Sequence, residues 1–193
     1  SKEYSWLMSE IDQKWHEKIP EMIVDTLRIP LYKPNYFLIN GKSEQQITTN
    51  DSIKIMGAPN EVIYLRTANI GYYRNRIFFP PELNATMVDS DGRPLPASIR
   101  NDTVDLMPGE RFGVMLKCSS VFSGNIRVSY INMNSDSVWN TQKVPVDIGV
   151  SGIKENDLLN SLISVYPNPA TNSIEVVLID KNNLKKDEYA IIN

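Results

Sequence analysis

The segment Arg111-Phe-Gly-Val-Met-Leu-Lys-Cys118 sets the fold class, because apolar side chains occupy every second position of it. Successive side chains of an extended strand point to opposite faces, so residues 112, 114, 116 and 118 share one side. The alternation predicts a β-strand with one apolar face, and it places the thiol of Cys118 in the core. This is the chain's only cysteine, and we interpret it as a buried, unreactive thiol.

Other parts of the chain repeat this strand signature at short intervals. Residues 4–8, 61–69, 85–89 and 125–132 are rich in β-branched and aromatic residues, and Gly, Pro, Asn and Asp separate them. The pattern predicts an all-β sandwich or barrel. Only residues 9–17 read as a helix, with Ser9 as its cap and Pro20 ending it.

A change of composition near Gly149 predicts a second, smaller unit. Residues 150–161 are short and polar, which is typical of a linker. Beyond them, residues 163–166 and 174–179 predict two strands across the turn Pro167-Asn-Pro169, and residues 189–192 predict a third. We therefore expect a main domain over residues 1–149, a linker over 150–161 and a tail over 162–193, which is too short to build much core.

Charge and hydropathy argue against two classes of protein. The net charge is -3, and the lysine and arginine residues are scattered, so no basic stripe is present for nucleic acid. The mean hydropathy is -0.29, and no run approaches the ~20 apolar residues that a transmembrane helix needs. We expect neither nucleic-acid binding nor a transmembrane segment.

Three dipeptides predict tight turns: Asn40-Gly41, Asp91-Gly92 and Pro108-Gly109. Two arginines, Arg66 and Arg111, interrupt otherwise alternating strands. We expect each to pair with an acidic side chain rather than to act in catalysis.

Five short motifs, taken in order, resemble the second cupredoxin domain of multicopper oxidases. The segment Tyr36-Phe-Leu-Ile-Asn-Gly-Lys-Ser43 is similar to a "LINGK" element of that domain, and residues 61–71, with Arg66, Asn69 and Gly71, to a "vrlRxxNxG" strand. The other three are Ser9-Glu-Ile-Asp12 with His16, Asp89-Ser-Asp-Gly92 with Pro94, and Leu106 to Val114, which contains Gly109, Glu110 and Arg111.

The resemblance implies a cupredoxin-like Greek-key β-sandwich or barrel with a short C-terminal β tail. In three-domain oxidases the second domain is mainly a spacer that holds the other two in place. Neighbouring cupredoxin domains of a parent protein are then the implied partners.

The tail carries a second resemblance. Its segment Ile163-Ser-Val-Tyr-Pro-Asn-Pro-Ala-Thr-Asn-Ser173, followed by Ile174-Glu-Val-Val177, is similar to the C-terminal sorting domain of type IX secretion in Bacteroidetes-type bacteria, here truncated. That resemblance implies a secreted or cell-surface protein, exported across the outer membrane by the type IX secretion machinery. The alternative is an ordinary hairpin with a proline turn.

The side chains that hold copper are scarce in this sequence. A type 1 site needs two imidazoles and a thiolate, and the trinuclear centre of the resembled family uses His-X-His pairs. The chain has one histidine, His16, and one cysteine. We therefore predict no catalytic residue, no metal ligand and no cofactor in this chain, with copper possible in the parent; whether the parent is an oxidoreductase stays open.

Two weaker metal signals have plainer interpretations. Asp12 and His16 would share a helix face, but a solvated pair is the better interpretation of two ligands on a short helix. Met107, Met115 and Met133 are spread over separate strands, so we expect them to fill the core rather than to bind cuprous ion.

An aromatic and basic cluster remains after these assignments. It comprises Tyr72, Tyr73, Arg74, Arg76, Phe78 and Phe79. Stacked aromatic rings with arginine suit a sugar or protein partner, and they equally suit contact with a neighbouring domain, which we favour. The predicted function is a non-catalytic scaffold domain of a secreted multicopper-oxidase-like protein. The alternative is a copper-free binding module for protein or glycan.

Overall fold

The computed structural model describes residues 2–22 and 31–149, together with the strands at 163–166, 174–178 and 187–191. These residues belong to two compact units, Ser1–Val150 and Ser151–Asn193. The predicted linker over 150–161 lies outside the described residues.

The first unit is built almost entirely of strands. In chain order they are β1 (Lys2–Ile11), β2 (Tyr36–Ile39), β3 (Ile55–Gly57), β4 (Val62–Asn69), β5 (Arg74–Phe78), β6 (Thr86–Ser90), β7 (Arg93–Arg100), β8 (Thr103–Leu106), β9 (Arg111–Lys117), β10 (Phe122–Ile131) and β11 (Val138–Ile148). The strands predicted at 4–8, 61–69, 85–89, 111–118 and 125–132 correspond to β1, β4, β6, β9 and β10. The all-β prediction is confirmed.

The strands form two sheets. The first has the order β2-β1-β4-β9-β6-β7, and the second has the order β3-β11-β10-β5-β8. The pairs β1–β4 and β3–β11 are parallel, whereas the hairpin strands β6–β7 and β10–β11 are antiparallel. Consecutive strands β4 and β5 lie in different sheets, so residues 70–73 form a crossover between the sheets.

The core lies between the inward faces of the sheets, where alternate residues of β1, β8, β10 and β11 are buried. Its largest fully buried side chains are those of Trp6, Tyr73, Tyr130 and Phe79. Cys118 is only 3% exposed and donates to the carbonyl oxygen of Ser120 at 3.1 Å, so its predicted burial is confirmed.

The helix predicted over residues 9–17 is placed wrongly. Residues 9–11 continue β1, because Ser9 and Glu10 pair with residues of β2. Helix α1 (Gln13–Met22) then starts after Asp12. Pro20 lies inside α1 rather than after it, where it forfeits one backbone hydrogen bond of the helix.

The helical segments within residues 31–149 are short. They are α2 (Gln45–Thr49) and a 3₁₀ turn at Pro81–Leu83. No helix within the described residues has the length and apolar character needed to cross a membrane.

The second unit contains one antiparallel sheet. Its strands are β12 (Ile163–Tyr166), β13 (Ile174–Leu178) and β14 (Asp187–Ile191), in that order. The register pairs Ile163 with Leu178 and Ile174 with Ile191. Three strands were predicted here, and the proline turn between the first two lies outside the described residues.

Candidate functional site

A buried carboxylate holds the crossover between the two sheets. Glu10 follows Trp6 and Met8 on the inward face of β1, and it is only 6% exposed. Its Oε1 atom accepts hydrogen bonds from the backbone N–H groups of Tyr72 and Tyr73, the latter at 3.0 Å. A buried acid on β1 therefore fixes the backbone of the loop that leads into β5 of the second sheet.

The crossover also requires a glycine at position 71. A Cβ atom there would lie 2.2 Å from Oε2 of Glu10, much closer than any real contact. The glycine thus lets the loop backbone approach the carboxylate closely enough to bond with it.

Asn69, at the end of β4, ties the same loop to the neighbouring strand. Its Nδ2 donates to the carbonyl oxygens of Tyr73 and Leu106, at 2.7 and 3.0 Å, and its Oδ1 accepts from the N–H of Gly71 at 3.0 Å. The side chain is only 1% exposed, so from a buried position its amide satisfies three backbone groups of the loop and of β8.

Asp12 organises the chain on the other side of the crossover. Its Oδ1 accepts from the N–H of Trp15 at 3.0 Å and caps α1, while its Oδ2 accepts from the N–H of Lys33 at 2.7 Å. His16 does not contact the carboxylate, since its Nδ1 lies 2.8 Å from the carbonyl oxygen of Asp12. The predicted Asp12–His16 side-chain pair is therefore wrong, because Asp12 precedes the helix and its carboxylate is used by backbone groups.

Aromatic side chains surround Glu10 and form a cleft of about 640 Å³. The hydroxyl of Tyr32 donates to the carbonyl oxygen of Glu10 at 2.8 Å. The ring of Tyr32 lies edge-on to Trp15 and Tyr72, with centroids 5.8 and 5.9 Å apart. We call this space the aromatic cleft; its lining residues are Glu10, Trp15, His16, Leu31, Tyr32, Ile70, Gly71 and Tyr72.

The apolar surroundings change the acidity of the groups in the aromatic cleft. Burial raises the pKa of Glu10, although the hydrogen bonds from Tyr72 and Tyr73 oppose the increase. Burial, together with the nearby Glu10 charge, also raises the pKa of Tyr32. Among the described residues that line the aromatic cleft, Glu10 is thus the one acid, and it is buried in the wall of a cleft whose rim is exposed.

The predicted cluster of residues 72–79 does not form one surface. Tyr73 and Phe79 are buried, whereas Tyr72 is 55% exposed. Tyr73 and Phe79 cannot belong to a surface, because β5 is an alternating strand and the odd-numbered side chains of this stretch point into the core. An interaction through the exposed members stays a prediction.

The other members of that cluster contact neighbours on β8, on β10 and in the loop between β10 and β11. Arg76 makes two hydrogen bonds to Asp105, at 2.7 and 2.8 Å. Arg74 pairs with Asp136. The guanidinium of Arg127 lies 4.4 Å from the ring centre of Phe78. Tyr72 alone of the cluster lines the aromatic cleft.

The three methionines considered for the core are exposed instead. Met107, Met115 and Met133 are 44%, 38% and 46% exposed. Met115 lies on the outward face of β9, opposite in parity to its buried neighbours, and the other two lie outside the strands. The expectation of core filling is therefore wrong for all three.

The turn motifs have the backbone geometry that their glycines allow. Asn40 and Gly41 have φ of 52° and 72°, Asp91 and Gly92 have 49° and 78°, and Gly109 has 88°. Positive φ at both central residues suits a tight hairpin turn.

Polar side chains of the same motifs bind the local backbone. Asn40 exchanges hydrogen bonds with β1 through the N–H of Leu7 and the carbonyl of Ser5, both at 2.8 Å. Oε2 of Glu110 accepts from the N–H of Met107 at 2.7 Å. The side chains of Asn40 and Glu110 therefore stabilise the fold through hydrogen bonds to the backbone.

The two arginines of the motifs have acidic partners, as predicted. Arg66 lies 2.6 Å from Glu3, and Arg111 lies 3.5 Å from Asp91. All four side chains are more than half exposed, so each pair contributes little to stability.

A sequence model of the multicopper oxidase family matches residues 10–143, which is more than half of the chain. This chain belongs to the multicopper oxidase family. Among curated proteins, no sequence matches it.

Solved multicopper oxidases share its fold at low sequence identity. The blue copper oxidase from Nitrosomonas europaea aligns with a TM-score of 0.57 and 22% identity, over 77% of this chain and 44% of that one. Fet3p, a multicopper oxidase that functions in iron import, aligns with a TM-score of 0.56 and 15% identity, over 79% of this chain and 28% of that one. The multicopper oxidase mgLAC aligns with a TM-score of 0.54 and 17% identity, over 81% of this chain and 46% of that one.

These matches confirm the predicted cupredoxin-like fold. The chain spans less than half the length of each of the three solved oxidases.

The residues of this multicopper oxidase domain do not fit the copper that its family implies. Cys118 directly follows β9, whose last residue pairs with the first residue of β4. The start of β4 in turn pairs with the start of β1, so the thiol lies near the first residues of β1. His16 lies beyond the last residue of β1, near Asp12. At ~3.3 Å per residue, the ten residues of β1 separate the thiol and the imidazole by roughly 30 Å.

The described part of the chain offers no alternative set of metal ligands. Within residues 2–22 and 31–149, no three His, Cys, Asp or Glu side chains cluster closely enough to hold a metal ion. The chain's only imidazole and only thiolate cannot share a copper ion, so the type 1 donor set is incomplete.

Sequence reasoning missed the aromatic cleft of this domain. Glu10 was quoted only as part of a motif, yet it stands at a core position of the alternating strand Trp6, Met8, Glu10. An acid on an apolar face is the signal that was available. Trp15 and Tyr32 had no such signal, because only the folded chain brings them to Tyr72.

Proposed function

We propose that this chain is a non-catalytic scaffold domain of a multicopper-oxidase-like protein whose copper sites are supplied by other domains. One observation carries the proposal: a multicopper oxidase fold holds its only imidazole and its only thiol at opposite ends of a sheet. The framework of the family is present, and the donor set for copper is not.

We place the chain in the position of the second cupredoxin domain. Support comes from the ordered motifs, from Ser9-Glu-Ile-Asp12 to the turn at Gly109, all of which bind the local backbone or form hairpins. Since their side chains serve the fold itself, such a domain suits a role in spacing its neighbours. The aligned part of this chain covers less than half of each solved oxidase, which leaves room for copper-bearing domains in an equivalent parent.

The copper content of the purified parent protein tests this role. After copper loading and removal of free metal, we expect stoichiometric copper and a blue thiolate-to-copper absorption band in the parent, with neither in this chain alone. A folded parent that retains no copper after loading would overturn the scaffold proposal.

The tail motif supports a secreted or cell-surface location through type IX secretion. The three-stranded sheet of the second unit is compatible with a small sorting domain. Removing residues 151–193 from the parent, in the bacterium that encodes it, should leave the protein in the periplasm. Unchanged export of the shortened protein would contradict this part of the proposal.

A copper-free binding module is the second candidate, and the aromatic cleft is the observation that favours it. An exposed tyrosine, a buried acid and a volume of about 640 Å³ suit a small ligand or a side chain of a partner. The two candidates differ in their prediction for the parent, since only the scaffold role requires copper.

A further inference from the structure

The aromatic cleft contains two polar atoms whose hydrogen-bonding capacity is unused. Oε2 of Glu10 and Nε1 of Trp15 are both buried, and neither has a hydrogen-bond partner among the residues that the structure describes. A buried polar atom without a partner has lost its hydrogen bonds to water and gained none in return, so such atoms point to a missing ligand. Here one acceptor and one donor lie in side chains that line the same cleft.

The walls of the aromatic cleft favour a cation over a neutral group. The rings of Trp15, Tyr32 and Tyr72 line it together with the carboxylate of Glu10. Aromatic faces attract organic cations, and the attraction strengthens where water is excluded. A carboxylate that is 6% exposed likewise favours a charged partner over an empty space.

The rim of the aromatic cleft adds an apolar requirement. Leu31 is 78% exposed and Ile70 is 62% exposed, and both line the cleft beside Tyr72. A ligand with an apolar stem would cover these side chains while its charged end reaches Glu10. The volume of about 640 Å³ lies within the ordinary range for small-ligand sites.

We propose that the aromatic cleft binds an ammonium group on an apolar stem, with the ammonium donating to Oε2 of Glu10 and packing against Tyr32 and Tyr72. An acceptor oxygen on the same ligand would satisfy the indole N–H of Trp15. A free amino alcohol and a lysine side chain both provide this chemistry. The site is separate from the scaffold role and is independent of copper.

The test is a titration of the 193-residue chain, followed through the indole N–H signal of Trp15 in NMR spectra. The probes are 5-aminopentan-1-ol and pentane-1,5-diol, which differ only by exchange of an ammonium for a hydroxyl. We expect the amino alcohol to bind at least ten times more tightly than the diol. Equal affinity of the two probes would overturn the proposal.

Two variants locate the effect within the aromatic cleft. In Glu10→Gln the amide oxygen can keep the hydrogen bonds of Oε1 to the crossover loop, while the charge and the Oε2 acceptor are lost, so the preference for the amino alcohol should fall at least tenfold. In Tyr72→Leu an exposed ring is replaced by an aliphatic group, and we expect a three- to tenfold loss of affinity for the amino alcohol. Tyr36→Leu is the matched control, because Tyr36 is an exposed tyrosine outside the cleft lining.

An unchanged preference in both cleft variants would contradict the assignment of the site, and Tyr72→Leu keeps the test valid if Glu10→Gln misfolds. A third probe, Nα-acetyl-lysine N-methylamide, distinguishes a lysine side chain from a free amine as the source of the ammonium. Tighter binding of the blocked lysine than of the amino alcohol assigns the site to a protein side chain, and the reverse order assigns it to a free amine.

Discussion

At the scale of single residues, two buried acids that lie two positions apart have pKa values shifted in opposite directions. Glu10 is buried beside an apolar cleft, and burial raises its pKa. Asp12 is buried as well, but hydrogen bonds from the N–H groups of Lys33 and Trp15 outweigh burial and hold its pKa below the usual value. One acid anchors the crossover loop, and the other caps α1.

The close contact between Gly71 and Glu10 gives the first prediction. Gly71→Ala should lower the free energy of unfolding by about 1–3 kcal/mol, because a Cβ atom would overlap the buried carboxylate. Urea denaturation followed by tryptophan fluorescence measures the change.

The matched control for that variant is Gly149→Ala, whose Cβ atom would lie at an ordinary 3.6 Å from its nearest neighbour, Asp147 Oδ1. We expect the control to change stability by less than ~0.5 kcal/mol. Equal effects of the two substitutions would show that Gly71 and Glu10 are not in close contact.

The second prediction concerns the pH dependence of the Asp12 cap. Because the folded-state pKa is lowered, the carboxylate contributes stability above its usual pKa of ~3.9, and the contribution disappears as the pH falls through the lower folded-state value. At pH 7, Asp12→Asn should cost about 1–2 kcal/mol, since the amide can accept only part of the two backbone hydrogen bonds.

The measurement is the difference in unfolding free energy between wild type and Asp12→Asn from pH 7 to pH 2.5. The difference should shrink at the acidic end. Asp147→Asn, at an exposed position of β11, serves as the control. A difference that stays constant over the whole range would refute the charged cap.

At the scale of elements, the crossover between β4 and β5 is the feature that positions both the second sheet and the aromatic cleft. Asn69 bonds to β8 through Leu106 and to the loop through Tyr73 and Gly71. Glu10 contributes from β1. One loop is therefore held from three strands by two buried polar side chains.

The third prediction tests this connection. Asn69→Ala should destabilise the fold by about 2–4 kcal/mol, because it leaves buried backbone groups of the loop and of β8 without partners. Asn125→Ala, at an exposed position of β10, is the matched control and should have an effect below ~0.5 kcal/mol. Thermal unfolding of the two variants distinguishes them, and similar midpoints would contradict the proposed role of Asn69.

The elements also show where sequence patterns suffice and where they fail. The strands β4, β9 and β10 were predicted because alternation within a strand is a local property. The end of β1 was mistaken for a helix, since residues 9–11 are extended only through pairing with β2, which lies 25 residues further on. Tyr32 was missed for the same reason, because only long-range contacts bring it to Glu10.

At the scale of the whole molecule, the chain has the fold of the multicopper oxidase family without a complete set of copper ligands. The multicopper oxidase fold is held by hairpin turns, an alternating core and backbone-binding polar residues, none of which involves copper. The fold can therefore persist in a domain whose imidazole and thiol lie at opposite ends of one sheet. A spacing role and a cation-binding cleft are both compatible with such a domain.

The most direct test of this account is equilibrium dialysis of the 193-residue chain against copper, with elemental analysis and a visible spectrum of the protein after desalting. We predict well under one copper per chain and no blue absorption band, in both wild type and Cys118→Ala. One tightly held copper per chain, with an intense blue band that disappears in Cys118→Ala, would contradict the account, because it would require the thiol and the imidazole to share a metal ion.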